Sequence, residues 1–504
     1  MNYLIDPDKG SLKDSWVFID GEDIHLFFLA DPADMNHERR WFGHAVSRDW
    51  LHWTNLPDID LKGAPGEWDH GRIGTGHTFR HEDGAYYMAY TGRTRDPGTG
   101  VEVEHVGLLV SRDLVSWTKP FREPVWRRSQ GPGYERDDER AARMASWRDP
   151  AVFRRPDGTW EALCCARTDA GPLAGRACVA RARVDDLRRW ETLPPIACPG
   201  AYGAMEVPEI FELNGRFWLV FSTSASWSPG LDVAGRRRVL GTLYLVADRW
   251  EGPYSAPQDN LLIGAGDGRA DGYVARAVEH DGRMLAYYHF HGNPRAWAIP
   301  KVLASEGDRL YLKPWDGQDR LRTRQLTPCD WRQSVTGNVP AGRWLTEGER
   351  VDGACALGGA AWHADVGARD VDIQVLVNIG RGKRAGVLFA LADDGSHGLC
   401  VLLDAARGEA TIGHYRCGHV APTPDLEAVI DRVARPVHAR QDYRLRILKR
   451  GKFAELFVGG ELVFSTTTGH EGTGGRLGFV VDSGEGRFQL LRAHEIEPLA
   501  PSVD

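Results

Sequence analysis

Asp20-Gly21-Glu22-Asp23-Ile24-His25-Leu26-Phe27-Phe28 reads as a tight turn feeding an apolar strand, and its pattern returns along the first two-thirds of the chain. Asp83-Gly84 precedes Tyr86-Tyr87-Met88-Ala89-Tyr90, and Asp157-Gly158, Asn214-Gly215 and Asp281-Gly282 follow in turn. Asp-Gly and Asn-Gly supply the left-handed backbone that a two-stranded hairpin needs at its turn. A second unit trails the first. It reads Ser47-Arg48-Asp49-Trp50-Leu51-His52-Trp53, then Ser111-Arg112-Asp113-Leu114-Val115-Ser116-Trp117, with weaker copies ending at Trp190 and Trp250. The chain between copies suffices for one four-stranded sheet and its loops. Five hairpin signals therefore predict five such sheets arranged radially, a five-bladed β-propeller.

An alternating strand-helix fold would need long amphipathic helices. Glu135 to Ser146 is one candidate, and its charge run reads as a solvated loop helix. Around 326–345 the pattern changes, with Pro328 and Pro340 bracketing a polar connector. From Thr346 onward short strands predominate: Val371 to Ile379 largely alternates, Gly386 to Ala392 and Leu399 to Leu403 are apolar runs, and Leu456 to Ser465 reads as a hairpin around Gly459-Gly460. The expected all-β organisation is a propeller over 1–325, a linker over 326–345 and a concanavalin-like β-sandwich over 346–504.

The formal net charge of -8 disfavours nucleic acid and anionic membrane surfaces as partners. A small neutral carbohydrate suits this balance. Of the 18 tryptophans, 15 precede residue 316, where flat aromatic faces serve core packing first and sugar stacking second. The eight cysteines form no Cys-x-x-Cys pair, so reduced thiols are expected in place of a disulfide framework or zinc site. Met1 to Lys9 is polar and acidic, unlike a secretory leader, and no apolar run is long enough for a membrane helix. These features predict a cytoplasmic protein acting on an imported sugar. The sequence leaves open whether it forms a homo-oligomer.

The innermost strands of a propeller line a central funnel, so acids early in those strands can converge. Asp14 lies in Lys13-Asp14-Ser15-Trp16-Val17-Phe18, just ahead of the first turn. Asp149 lies in Trp147-Arg148-Asp149-Pro150, one strand ahead of the third turn. The neighbouring Arg148 is suited to binding hydroxyls or holding a carboxylate charged. Glu206 lies in Met205-Glu206-Val207-Pro208-Glu209, ahead of the fourth turn, where apolar neighbours would raise its proton affinity as a general acid requires. In a regular strand Glu209 points to the face opposite Glu206. Each acid alone reads as a turn cap or a structural ion pair, but three at the same place in blades one, three and four match the needs of glycoside cleavage: an acid, a nucleophile or base, and a stabilising charge.

Here the sequence resembles the β-fructosidases, in the furanosidase clan of glycoside hydrolase families 32, 68 and 43. Arg148-Asp149-Pro150 is similar to the family's aspartate motif. Met205-Glu206-Val207-Pro208 resembles its acid/base motif, with Val207 in place of the usual cysteine. Trp41-Phe42-Gly43-His44-Ala45 and Ser47 to Trp53 follow its blade-one pattern, Gly74-Thr75-Gly76-His77 falls where Ser-Gly-Ser is usual, and Asp271-Gly272-Tyr273-Val274-Ala275 resembles its fifth-blade motif. The resemblance spans roughly 11 to 325. It implies Asp14 as nucleophile, Asp149 as transition-state stabiliser, Glu206 as acid/base and Arg148 as a sugar-binding residue, with no cofactor and no metal in the reaction.

The usual Asn-Asp-Pro-Asn-Gly nucleophile motif is absent. Asp6, in Ile5-Asp6-Pro7-Asp8, lies too far ahead of Asp20 for one blade strand to span, which favours Asp14. Trp41, Trp68, His77, Glu209 and Tyr273 are the further candidates for lining a sugar pocket. The expected reaction is hydrolysis of a terminal furanoside, a β-fructofuranoside first. The alternatives are an inverting arabinofuranosidase-like enzyme and a non-catalytic carbohydrate-binding propeller.

Overall fold

The structure is a computed structural model and describes residues 3–4, 10–34, 36–96, 98, 100–127, 133–135, 146–155, 157–224, 240–265, 272–291, 296–334, 342–416, 425–469 and 474–499. Asp6 to Lys9, most of Glu135 to Ser146 and Asp271, all singled out above, lie outside the described residues. The chain forms two compact units, Asn2–Leu312 and Lys313–Leu499.

The first unit is a five-bladed β-propeller, with a separate antiparallel sheet for each blade. The innermost strands are Ser11–Asp20, Arg72–Arg80, Trp147–Arg154, Glu206–Leu213 and Gly272–His280. Each packs against the innermost strands of the two adjacent blades, which closes the ring. Closure is reinforced by Tyr3–Leu4, which pairs with Ala296–Trp297 in blade five. The chain start is thus stitched into the last sheet.

Both repeats seen in the sequence have a physical cause. Gly21, Gly84, Gly158, Gly215 and Gly282 all adopt left-handed backbone, with φ between 63° and 86°, at the turn joining first and second strands. A side chain at these positions would be strained, which explains why each turn carries glycine. In the second repeat, the Asp49 Oδ1 accepts the amides of Leu51 and His52 at 2.8 and 2.9 Å, and the Asp113 Oδ1 accepts those of Val115 and Ser116 at 2.9 and 2.7 Å. The aspartate closes the turn into the outer strand. The tryptophan four residues later is buried, and its indole donates back to the turn: Trp53 to Trp50 O and Trp117 to Leu114 O. Most propeller tryptophans, including Trp16, Trp126, Trp147, Trp190 and Trp218, are buried core.

The second unit is a β-sandwich with a core of Val371, Ile373, Val375, Val387, Leu445, Leu456, Phe479 and Phe488 among others. Its strands begin earlier than the sequence suggested. Arg322–Gln325 pairs with Arg476–Ile496, and both Cys329–Gln333 and Arg343–Glu347 pair with Arg350–Asp365. Much of the expected 326–345 linker is therefore sheet. Its strands are mostly exposed and polar, so they lack the apolar alternation that marks a strand in sequence. Trp331, Trp344 and Trp362 pack against the core of this unit.

Candidate active site

One irregularity, repeated in every blade, builds the site. The pairing of first and second strands gains one extra residue between Lys13 and Trp16, Gly74 and Gly76, Arg148 and Ala151, Glu206 and Glu209, and Tyr273 and Arg276. Such a bulge bends a strand and re-aims the side chains beside it. In four blades a bulge residue other than glycine is forced into left-handed backbone: Asp14 at φ 44°, Asp149 at 59°, Val207 at 49° and Val274 at 52°. Each costs about 1–3 kcal/mol, and for β-branched valine the conformation is a true outlier. The surrounding ring of packed strands holds them there. Asp14 and Asp149 occupy the bulge itself. Lys13, Arg148, Glu206 and Tyr273 occupy the equivalent position just ahead of it, so one layer of the funnel gathers them.

Contacts within this layer are direct. Arg148 Nη2 donates to Glu206 Oε1 at 2.8 Å, and its Nε lies 3.5 Å from Asp149 Oδ2. The Tyr273 hydroxyl donates to the other Glu206 oxygen at 2.5 Å. Asp149 Oδ2 accepts the Val207 amide at 3.2 Å, and the Asp149 amide donates to Thr91 Oγ1 at 2.8 Å. Asp14 Oδ2 accepts from Thr75 Oγ1 at 3.1 Å. The structure thus brings together Asp14, Arg148, Asp149, Glu206 and Tyr273 from blades one, three, four and five.

Burial sets the electrostatics. The Asp149 carboxyl has a raised proton affinity. Desolvation pushes it up to about 7, with Glu206, Asp14 and Glu104 adding to the rise and Arg148 opposing it. Burial also raises the Tyr273 hydroxyl well above its ordinary range, helped by the Glu206 carboxylate it bonds. For Arg148 burial works against the charge, but the carboxylates of Glu104, Glu206 and Asp149 outweigh it and keep the guanidinium protonated.

His77 and Glu209 lie one step deeper. The bulge uses up a residue, so Glu209 shares a face with Glu206 and does not point away from it as a regular strand would require. Its Oε2 accepts the Ala277 amide of blade five at 2.9 Å, and Arg276 approaches it at 3.9 Å. Arg276 in turn donates to Gly76 O of blade two at 3.1 Å, and His77 Nδ1 accepts the Val152 amide of blade three at 3.3 Å. These residues form a largely buried polar layer, with His77 half-buried, that ties blades together beneath the site. Burial, then Arg276, lowers the proton affinity of His77 far below its usual value, so it stays neutral.

Trp68 is a packing residue. A Cβ at Gly92 or Gly107 would fall 2.1 or 2.5 Å from its ring, and its indole donates to Arg122 O at 3.1 Å. Trp41 opens the third strand of blade one opposite Ala30, at the same end of the sheet as Ser11 to Lys13, and is half-buried.

Sequence reading missed four contributors. Thr75, and not His77, is the residue of Gly74-Thr75-Gly76-His77 that reaches the acids, because the bulge reverses the alternation there. Lys13 lies 3.2 Å from buried Asp31, which also binds Arg40 and His37. Exposed His291 stacks edge-on against Tyr273 at 5.2 Å and feels the charges of Asp14, Lys13 and Glu206. Glu104 stands behind Arg148. Only Thr75 had a signal, in its family motif.

The family model for the N-terminal domain of glycosyl hydrolases family 32 matches residues 5–259, just over half of the chain. The chain is 29% identical over 237 residues to the sucrose-6-phosphate hydrolase of Bacillus subtilis, covering 45% of each, and 26% identical over 277 residues to a cell-wall beta-fructofuranosidase of Zea mays, covering 54% of this chain and 40% of the relative. The match thus spans less than half the length of either curated relative. Among solved structures, a GH32 beta-fructofuranosidase of Bombyx mori superposes with a TM-score of 0.68 at 19% identity, covering 99% of this chain and 94% of that one. Sucrose-6-phosphate hydrolase from Lactobacillus gasseri gives 0.68 at 19%, covering 99% and 93%. These neighbours share the fold over both units. With the acids of blades one, three and four gathered in one funnel layer, the chain belongs to glycosyl hydrolases family 32.

Proposed function

We propose that this protein hydrolyses terminal β-fructofuranosides. The observation that carries the reading is the Arg148 guanidinium, which bridges Glu206 and Asp149, while Asp149 lies within electrostatic reach of Asp14, so that three carboxylates from three blades are gathered together. Relatives named sucrose-6-phosphate hydrolase and beta-fructofuranosidase support it.

In this reading Glu206, held by Arg148 and Tyr273, protonates the leaving oxygen. Asp14, oriented by Thr75, attacks the anomeric carbon on the opposite side. Water then cleaves the fructosyl-enzyme with Glu206 as base, restoring both carboxyls. Asp149 holds ring hydroxyls and stabilises the oxocarbenium-like centre, with Arg148 beside it. The enzyme works in the cytoplasm on a small sugar. Supporting that location, Cys198 and Cys329 are exposed thiols, as a reducing compartment permits.

The test is hydrolysis of sucrose, short fructans and nitrophenyl furanosides by the wild type, Asp14→Asn and Glu206→Gln. Release of fructose, cut about 100-fold or more in both variants, is the expected result. Release of arabinose with inversion would replace it with the arabinofuranosidase reading. Sugar binding without turnover by the wild type would leave a carbohydrate-binding propeller.

A further inference from the structure

Glu104 belongs to no site motif, yet it is wholly buried, with 0% exposure. It sits in the third strand of blade two, Glu102–Ser111. Arg93 of the adjacent strand donates to its Oε1, and its Oε2 accepts the Trp147 amide at 3.0 Å and lies 3.5 Å from Arg148 Nη1. Burial opposes its ionisation, but Arg93, Arg148 and the Trp147 amide outweigh this and keep it charged. A buried carboxylate between two buried arginines is costly to assemble, and removing one member leaves the others uncompensated.

Among the described residues, the charges next to Glu104 and Arg148 are few, and Asp14 also acts on Asp149. Glu104 faces Arg93 and Arg148, and Arg93 also binds Glu102 at 3.0 Å. Arg148 faces Glu104, Asp149 and Glu206, with Ser146 Oγ at 2.9 Å and the neutral Cys165 thiol completing its surroundings. Glu206 faces Arg148 and Tyr273, with His291 nearby.

We propose that Glu104 is a positioning residue. It shares the Arg148 guanidinium with Glu206 and Asp149, so that Arg148 aligns the two acids without neutralising them alone. Glu102 and Arg93 hold Glu104 in turn, making a relay of alternating charge from the outer strands of blade two to Glu206. This rests on the functional reading of Glu206 as acid/base. Without the charge of Glu104, Arg148 falls entirely to Glu206 and Asp149, and both lose their protons more easily. Without the charge of Arg93, Glu104 is less compensated, and both hold their protons more strongly.

The experiment compares wild type, Glu104→Gln, Glu104→Asp and Arg93→Gln in two pH series, kcat on a fructoside and stability to denaturant. For Glu104→Gln the alkaline limb of kcat moves down by about one pH unit, and the stability loss attached to Asp149 is smaller and complete at lower pH. For Arg93→Gln both move up, and Glu104→Asp keeps the wild-type profile. A merely structural residue would lower stability at every pH and leave both profiles in place, which overturns the proposal, as would shifts of the same sign in Glu104→Gln and Arg93→Gln. If Glu104→Gln does not fold, Arg93→Gln against Glu104→Asp decides the sign. If the wild type turns over no furanoside but the stability profiles move in opposite directions, the relay stands and the functional reading falls.

Discussion

Asp149→Asn should stabilise this protein while abolishing turnover. Asp149 is 5% exposed, and burial pushes its carboxyl from 3.8 to about 7. A carboxyl with a raised folded-state pKa binds its proton more tightly when folded. Its contribution to stability is therefore present below the unfolded value, falls as pH rises through the window from about 4 to 7, and is fully lost above it. A shift of about 3 units at about 1.4 kcal/mol each gives a penalty of about 4 kcal/mol at pH near 8, and under about 2 kcal/mol near pH 5. Asparagine removes the titration, and its carbonyl still accepts the Val207 amide, although the contact with Arg148 is lost. The assay is denaturant unfolding of both proteins near pH 5 and near pH 8. The variant should gain several kcal/mol over the wild type at the higher pH and much less at the lower. An equal difference at both pH values, or no gain near pH 8, would show that Asp149 is not held protonated by its surroundings.

Glu209→Gln should keep kcat within a factor of about three, because that residue bonds the Ala277 amide beneath the site and a neutral amide replaces it there at little cost. Steady-state kinetics beside a melting curve checks this, and a loss as deep as that of Glu206→Gln would return Glu209 to the sugar pocket. Gly92→Ala should destabilise the propeller by about 1–3 kcal/mol, since the added methyl meets the Trp68 ring, and Gly92→Ala combined with Trp68→Leu should recover part of it in denaturant titrations. Thiol labelling of the folded protein should modify Cys198 and Cys329 quickly, and Cys164, Cys165, Cys178 and Cys400 only on unfolding. Mass spectrometry of timed aliquots reads the order.

Hairpin turns and buried tryptophans made the propeller legible because both are local. A left-handed glycine, or an aspartate closing a turn onto the amides that follow it, is specified within a few residues and repeats visibly in each blade. The three acids were legible for the same reason, since each stands at a fixed distance from such a turn. The polar edge strands between 322 and 347 were not. Their partners lie more than a hundred residues away in part, and exposure removes the apolar alternation.

What the sequence determined by itself was the blade count and which acids begin blades one, three and four. Only the tertiary structure decided where side chains near those acids point. One extra residue per innermost strand reverses the two-residue alternation from which facing is read. It carries Thr75 to Asp14, sends His77 and Glu209 into the layer below, and lets buried Glu104 of a different blade share the guanidinium that aligns Glu206. A bulge is held by pairing across strands and by the closed ring. Its cost in left-handed backbone at Asp14, Asp149, Val207 and Val274 is offset by contacts from neighbouring blades, which no local stretch of sequence contains.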